Sequence, residues 1–526
     1  MSFTFQINSD VEFNHNKKLL DKAEDNVTEL YHEVKTPQQI VTVEKNKQKL
    51  DGIGVKKIAD INELAKMSLG RNERVILDFG DHYVGRFSIK ARSIGSPMDA
   101  PLTVKLKFAE LPAELEQKSE DYDGWLSKSW MQEEILHLDQ LPAIIKLPRR
   151  YSFRYVELSV IDTSPKWKTI FSEPTLLTES SANNHLKEFK VKDAELKEIY
   201  KVGLKTLEDC MQDVFEDGPK RDRRLWIGDL RLQALANYAS FKNTTLVKRC
   251  LYLFAAMTAK DGRIPANVFA GHSYAPDDTF LLDYSLFFTS ILDDYVRETE
   301  DYNLLDELFP IAKKQMDYVL DRFVNKDGSI NLNEDYPVFI DWSNDFSKET
   351  SGIAVIVYTL KQFNHLLKLQ KVERSDQVKY INNIEKIIDY IKNHLFDKER
   401  GLFLSGTNHE VNIASQVWMV LAGVFDKKTN KKIMQKMVTE LFPIKGIATP
   451  YMYHHITEAL FQVGLEEEAV KLLKSYWGGM IRLGADTYWE AFEPENPSYS
   501  PYGSSMVNSY CHAWSCTPVY LIKKYL

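Results

Sequence analysis

Residues 412–442 read NIASQVWMVLAGVFDKKTNKKIMQKMVTELF and hold two helical segments of opposite character, with one aspartate between them. NIASQVWMVLAGVF is apolar on every side, so a helix there leaves no face for water and must be enclosed. KKTNKKIMQKMVTELF carries a single apolar stripe on a lysine-rich cylinder and reads as a helix with one side turned to solvent. The same alternation recurs upstream, where SGIAVIVYTLKQF is again apolar all round. From about Val191 to the end the hydrophobic period is helical, with twelve candidate helices from KDAELKEIYKVGLKTLEDCMQD to PVYLIKKYL. Twelve helices in six hairpins, inner members enclosed by outer ones, predict an (α/α)6 six-hairpin barrel over residues 186–526. An irregular helical domain or a solenoid is the competing arrangement, and no repeat of fixed length supports a solenoid.

Upstream the period is two. Phe87, Ile89 and Ala91 alternate with Arg86, Ser88, Lys90 and Arg92, and Val104, Leu106 and Phe108 alternate with Lys105 and Lys107. With EEILHL and RRYSFRYVELSVI these segments predict antiparallel strands of a β-sandwich over residues 71–185. Residues 1–70 mix both patterns and form an unassigned N-terminal segment. The predicted fold class is therefore mainly α, a six-hairpin barrel preceded by a β-sandwich.

Composition narrows the function. At 526 residues, 44% hydrophobic and 12% aromatic, the chain is globular and long enough for several cores. A net charge of -8 and a pI near 5.9 argue against nucleic acid, which needs a concentrated basic surface. The N-terminus lacks a basic segment followed by an apolar run, and no stretch of membrane-spanning length is present, so no membrane partner and a cytoplasmic location are expected. Cys210, Cys250, Cys511 and Cys516 form no Cys-x-x-Cys pair and are expected to be buried thiols. His454 and His455 are adjacent, diverge on a helix and cannot share a metal; no metal and no cofactor is expected.

The loops between the helices carry the chemistry. EDGPKRDRRLWIGDL supplies Asp217, Asp222, Trp226 and Asp229, and Gly218, Pro219 and Gly228 keep it from reading as an ordinary helix. PVFIDWSNDF supplies Asp341 and Trp342; GADTYWEAFEPE supplies Asp486, Trp489 and Glu490; NSYCHAWS supplies His512 and Trp514. Carboxylates accept hydrogen bonds from sugar hydroxyls, aromatic rings cover the C–H faces of a pyranose, and two carboxylates can cleave a glycosidic bond as acid and base. Phosphate-loop, Gly-x-Ser-x-Gly and His-Glu-x-x-His motifs leave no trace.

DGPKRDRRLWIGD resembles the acidic motif of the bacterial α-L-rhamnosidases of glycoside hydrolase family 78, usually Asp-Cys-Pro-Gln-Arg-Glu followed by Trp-Thr-Gly-Asp. ADTYWE is similar to that family's Thr-x-x-Trp-Glu and SYCHAWS to its Ser-Leu-x-His-x-x-Ser, while VILDFGDHYVGRFSIKAR and RRYSFRYVELSV look like its β-sandwich. The resemblance implies an inverting glycosidase that releases terminal α-L-rhamnose, with Asp222 as general acid and Glu490 as general base. It implies a sugar subsite of Asp217, Arg221, Trp226, Asp229, Asp341, Trp342, Trp489 and His512. Asp222 stands where glutamate is usual, Gly218 replaces the cysteine, and the chain stops at the twelfth helix without a C-terminal β-sandwich, which points to small rhamnosides. The outer arginines of the motif are expected to face helices or solvent. An (α/α)6 glycosidase for another sugar and a carbohydrate-binding relative without catalysis are the alternatives. The expected partner is a small glycoside, and a homodimer is the one protein partner left open.

Overall fold

The structure is a computed structural model that describes residues 11–183, 186, 189–271, 273–332 and 336–526. Among the described residues, twelve α-helices build the C-terminal part: α1 (Ala194–Cys210), α2 (Ile227–Tyr238), α3 (Thr244–Ala256), α4 (Leu282–Thr299), α5 (Tyr302–Phe323), α6 (Glu349–Leu369), α7 (Arg374–Tyr390), α8 (Ile413–Leu421), α9 (Lys427–Leu441), α10 (Pro450–Gln462), α11 (Glu466–Leu483) and α12 (Pro518–Tyr525). The even-numbered helices form an inner ring in which each packs on the next and α12 closes against α2; the odd-numbered ones pack outside. Every residue of α8 from Ile413 to Val420 is buried, whereas α9 buries only Asn430, Ile433, Met434 and Met437. That is the contrast in polarity between the two halves of residues 412–442, turned into position. Each large apolar side chain removed from water, such as Trp418 in α8, contributes about 1.5–3 kcal/mol, so a helix apolar all round has no stable place but the inner ring.

Helix starts are set locally. Asp193, Asn243, Asp301, Asn412, Asp426 and Thr449 each cap the helix that follows by accepting a backbone N–H, worth about 1 kcal/mol apiece. Gly484 ends α11 in the left-handed conformation at φ 112°, which a glycine adopts without a Cβ clash.

The N-terminal part is one antiparallel sheet of ten strands: β1 (Val34–Lys35), β2 (Gln39–Lys45), β3 (Ile53–Asp60), β4 (Ser68–Leu69), β5 (Arg74–Gly95), β6 (Leu102–Ala109), β7 (Glu133–Leu138), β8 (Ala143–Lys146), β9 (Tyr151–Asp162) and β10 (Trp167–Thr178). Its main path runs β1-β10-β5-β9-β6-β7. The long β5 makes the sandwich. Before a register shift between Asp78 and Tyr83 it pairs with β2 and β9, and beyond it chiefly with β8 and β10. The alternating Phe87, Ile89, Ala91, Val104, Leu106 and Phe108 are all buried, and the rings of Phe79, Phe87, Phe108 and Phe153 meet edge to face. Strands β1 to β4 come from the first seventy residues, where the sequence pattern assigns no element; two of them are only two residues long and too short to show a period.

All four cysteines are buried thiols. Among the described residues no helix is long and apolar enough to cross a membrane. His454 and His455 lie inside the barrel and diverge: His455 meets Arg231 at 3.2 Å and the Tyr451 carbonyl at 2.8 Å, while His454 lies 3.4 Å from Glu458.

Candidate active site

The loop between α1 and α2 is wound around one carboxylate. Asp217 accepts the N–H of Asp222 at 3.1 Å and that of Arg224 at 3.0 Å, while its own N–H donates to the Arg224 carbonyl at 3.0 Å. Its carbonyl accepts the Ala513 N–H at 2.7 Å, which ties the loop to the segment carrying His512. Gly218 sits at the closest approach: a Cβ there would lie 2.5 Å from the Arg221 carbonyl and 2.8 Å from Ser509 Oγ. Gly228 does not interrupt a helix, as its position in the motif suggests. It lies in the first turn of α2, and a Cβ would run into the Tyr284 ring of α4. The glycine lets two inner helices approach at the floor of the site.

A cavity of about 290 Å³ opens at this end of the barrel. Asp217, Arg221, Asp222, Trp226, Asp229, Trp342, Glu490 and His512 all line it, brought together from four loops. Arg221 joins two of the lining carboxylates. Its guanidinium bonds to Glu490 and lies 3.4 Å from Asp222 Oδ1, and its Nε donates to the Val507 carbonyl at 2.8 Å. Tyr502 donates its hydroxyl to the other oxygen of Glu490 and carries the Arg221 guanidinium over its ring at 4.1 Å. The two carboxylates that share Arg221 differ in access: the Asp222 side chain is 19% exposed, that of Glu490 5%.

Deeper in the cavity, Asp229 Oδ1 and His512 Nδ1 are buried, 3.6 Å apart, and have no hydrogen-bond partner among the described residues. The ion-pair distance is thus too long for a hydrogen bond, and both atoms are open to a third group. Burial holds the Asp229 carboxyl well above its usual range, with the neighbouring charges of Asp217 and Glu490 adding to the effect. Burial, reinforced by the Arg221 charge, pushes His512 well below the usual imidazole range. Asp217 is raised to about 8 by burial and by the Asp222 carboxylate. Burial also raises Glu490, against the pull of Arg221 and Tyr502. The inner wall therefore presents neutral donors and acceptors, which suits the hydroxyls of an uncharged sugar.

Three residues that the sequence groups with the site lie elsewhere. Asp341 is buried outside the cavity lining and its oxygens are saturated: it accepts the N–H groups of Ser343 at 2.8 Å, Ala448 at 2.9 Å and Thr449 at 3.0 Å, and the Thr449 hydroxyl. It stitches residues 337–346 to the start of α10. Trp489 is buried beside the site, edge-on to Phe492 and Tyr510 at 5.5 and 5.3 Å. Asp486 is held by both of its oxygens at 2.8 Å from Arg154 of the sheet. Arg224, expected to face helices or solvent, lines the cavity over Phe269 at 4.5 Å, because the short pairing of Leu225–Trp226 with Asn267–Phe269 folds it inward. Arg223 is turned away and donates to the carbonyls of Pro219 and Arg150.

Sequence reasoning misses Tyr502, Asp277 and the wall formed by Trp125, Leu126, Ser127 and Trp130. Tyr502 lies in PSYSPYGSS, whose turn residues announce a loop and nothing more. The Trp125–Trp130 wall belongs to the sheet domain and reaches the cavity only because the two domains pack together.

A family model described as the glycosyl hydrolase family 78 alpha-rhamnosidase N-terminal domain matches residues 37–178, and one described as the bacterial alpha-L-rhamnosidase 6 hairpin glycosidase domain matches residues 184–526. Among solved structures, the chain is similar to a rhamnosidase from Klebsiella oxytoca with rhamnose bound, at 40% identity and a TM-score of 0.95 over 98% of this chain and 100% of that one. It shares its fold with the family 78 rhamnosidase of Bacillus sp. GL1, at 19% identity and a TM-score of 0.71 over 90% of this chain and 49% of that one. The same holds for the Streptomyces avermitilis α-L-rhamnosidase complexed with L-rhamnose, at 15% identity and a TM-score of 0.65 over 94% of this chain and 44% of that one. No curated protein sequence matches the chain. With both halves matched, and one relative alike over almost its whole length, the chain belongs to the α-rhamnosidases of glycoside hydrolase family 78 and is a glycoside hydrolase.

Proposed function

We propose that this protein releases terminal α-L-rhamnose from small rhamnosides with inversion of configuration. The observation that carries the reading is the single guanidinium of Arg221, shared by Glu490 and Asp222 in one cavity whose inner wall leaves Asp229 Oδ1 and His512 Nδ1 open to sugar hydroxyls. Asp222, the more accessible carboxyl, is the general acid: it gives its proton to the glycosidic oxygen as the bond from C1 to that oxygen breaks. Glu490 is the general base. It takes a proton from a water whose oxygen attacks C1 from the opposite face, so one proton leaves the acid and one reaches the base in each turnover. Arg221 and Tyr502 oppose the effect of burial on Glu490 and favour its ionised form. Asp217, Asp229 and His512 bind the hydroxyls, Trp226 and Trp342 cover the ring, and Arg221 orients both carboxyls. Asp341 and Trp489 serve the site through the loops and rings they hold in place. Rhamnose as the sugar is supported by the likeness to the Klebsiella oxytoca protein, which is described with rhamnose bound.

The test is turnover of a chromogenic aryl α-L-rhamnoside beside a panel of other aryl glycosides, with proton NMR of the sugar first released. Selective release of β-rhamnose is expected. Another preferred sugar, a retained α-anomer, or binding of rhamnose without hydrolysis would each reject a different part of the reading.

A further inference from the structure

The loop that carries Asp222 is anchored to the sheet domain as firmly as to its own barrel. Lys220, two residues before Asp222, is 2% exposed. Its ammonium bonds to Glu114, lies 3.7 Å from Glu110 Oε2, donates to the Asn508 carbonyl at 2.8 Å and sits over the Tyr510 ring at 5.6 Å. Glu110 Oε2 also accepts the Tyr510 N–H at 2.8 Å. Both glutamates come from the sheet domain. Glu110 follows β6, and Glu114 lies in the short helix Pro112–Glu116, where its second oxygen accepts the N–H groups of Glu110 and Leu111 at 2.6 and 3.0 Å. The segment they grip leads straight to the proposed base, because the Glu490 N–H donates to the Ser509 carbonyl at 3.0 Å. A second tie holds the start of the same loop: Arg150 of the sheet domain bonds both oxygens of Glu216 at 2.6 Å. Neither Glu110 nor Glu114 lines the cavity.

We propose that Glu114, supported by Glu110, acts through Lys220 as a positioning residue for the general acid, so that the sheet domain is a working part of the catalytic site. The contacts reach the chain two residues from Asp222 and one hydrogen bond from Glu490, in a buried interface where charges are little screened. Small displacements of a catalytic group are costly, and a group held by a fixed buried ion pair is not free to drift. The proposal rests on the reading of Asp222 as the general acid, and it predicts a selective defect: displacing the acid slows substrates that need protonation far more than those that do not.

The experiment compares Glu114→Gln, Lys220→Met and the double variant on an alkyl rhamnoside and on a nitrophenyl rhamnoside. Misplacement of the acid is expected to lower kcat on the alkyl substrate by about tenfold or more, and on the nitrophenyl substrate by less than about threefold, with little change in KM. The double variant removes both charges of the bonded pair and leaves Glu110 with His82 at 3.3 Å and the Tyr510 N–H, so it keeps the comparison possible where a single one folds poorly. Equal losses on both substrates, or rates within about twofold of wild type, would overturn the proposal. Amide exchange at Asp222 and Arg224, whose N–H groups donate to Asp217, reads the clamp without any sugar. Faster exchange there in Glu114→Gln, with α4 and α6 unchanged, is expected, and unchanged exchange overturns the clamp. A wild-type protein inert on every rhamnoside would reject the proposed function alone, since the exchange measurement still decides the clamp.

Discussion

Residues 217–229 and residues 337–346 lie at the same end of the barrel, and each stretch has a tryptophan that lines the cavity and a buried aspartate to compare, Asp229 and Asp341. Their carboxylates are bonded in opposite ways. Asp341 receives four hydrogen bonds from its neighbours and has nothing left to offer a ligand. Asp229 keeps Oδ1 buried and without a partner, beside an equally unpartnered His512 Nδ1. An unmade hydrogen bond at a buried polar group costs about 1–3 kcal/mol, and a sugar hydroxyl placed between these two atoms cancels it. Burial and acidity are common to both loops. Satisfaction separates them: a saturated buried acid holds a fold together, and an unsatisfied one facing a cavity holds a ligand.

The largest effect is expected at Glu490, which lines the cavity although Arg221 and Tyr502 already bond its two oxygens. Glu490→Gln is nearly isosteric but cannot take a proton from water, so kcat should fall by about 10² to 10⁴ with the melting temperature little changed. A near-normal kcat would move the base elsewhere. Next comes Asp222→Asn, which should slow an alkyl rhamnoside by a comparable factor and an aryl rhamnoside with a very acidic phenol far less, because the second leaving group departs without a proton. Equal losses on both substrates would reduce Asp222 to a sugar or loop contact.

The two aspartates of the comparison can be exchanged for asparagine directly. Asp229→Asn should lower kcat/KM by about 10- to 100-fold, matching the roughly 1–3 kcal/mol cost of one mispaired buried polar group, without loss of stability. Asp341→Asn should do the reverse: it leaves backbone N–H groups unpaired at the start of α10 and lowers stability by about 1–3 kcal/mol, while the protein that remains folded keeps its rate. If Asp341→Asn proved the more damaging to catalysis, satisfaction would not be what separates the loops.

The smallest effect concerns pH. Burial and the Asp222 carboxylate raise Asp217 to about 8 in the folded protein, against about 3.9 in an unfolded chain. Between these values the folded state holds a proton that the unfolded state has lost. The stability this group contributes is therefore complete at acid pH, declines as pH rises through the window, and levels off above about 8. Asp217→Asn should make the fall in melting temperature between about pH 5 and pH 8 shallower than in wild type. An unchanged slope would mean that Asp217 stays ionised throughout.

The barrel was legible because its alternation is a property of composition along the chain. A segment such as residues 412–425 has no polar face, so it is inner whatever its neighbours are, and residues 427–442 have one stripe and can only be outer. The strands of residues 74–162 were legible for the matching reason, since alternation of apolar and charged residues leaves one face to bury. The two-residue strands β1 and β4 were not, for pairing with β10 gives them their place and two residues carry no period. At the site, the acidic loop and the Trp-Glu and His segments announced themselves by residue type. That Asp222 and Glu490 meet on one arginine did not, because 268 positions separate them in the chain and only barrel closure brings them together.

What the sequence determined by itself was which segments must be buried, which must turn, and which loops carry carboxylates and rings, because polarity, period and backbone constraint act over a few residues. Tertiary structure alone decided which carboxylate lines the cavity and which is consumed by the fold, that Tyr502 bonds Glu490, and that the sheet domain supplies Trp125 and grips Lys220. The physical reason is one of range. A hydrogen bond needs its partners within about 3 Å, and residues distant along the chain reach that separation only after the two domains have packed.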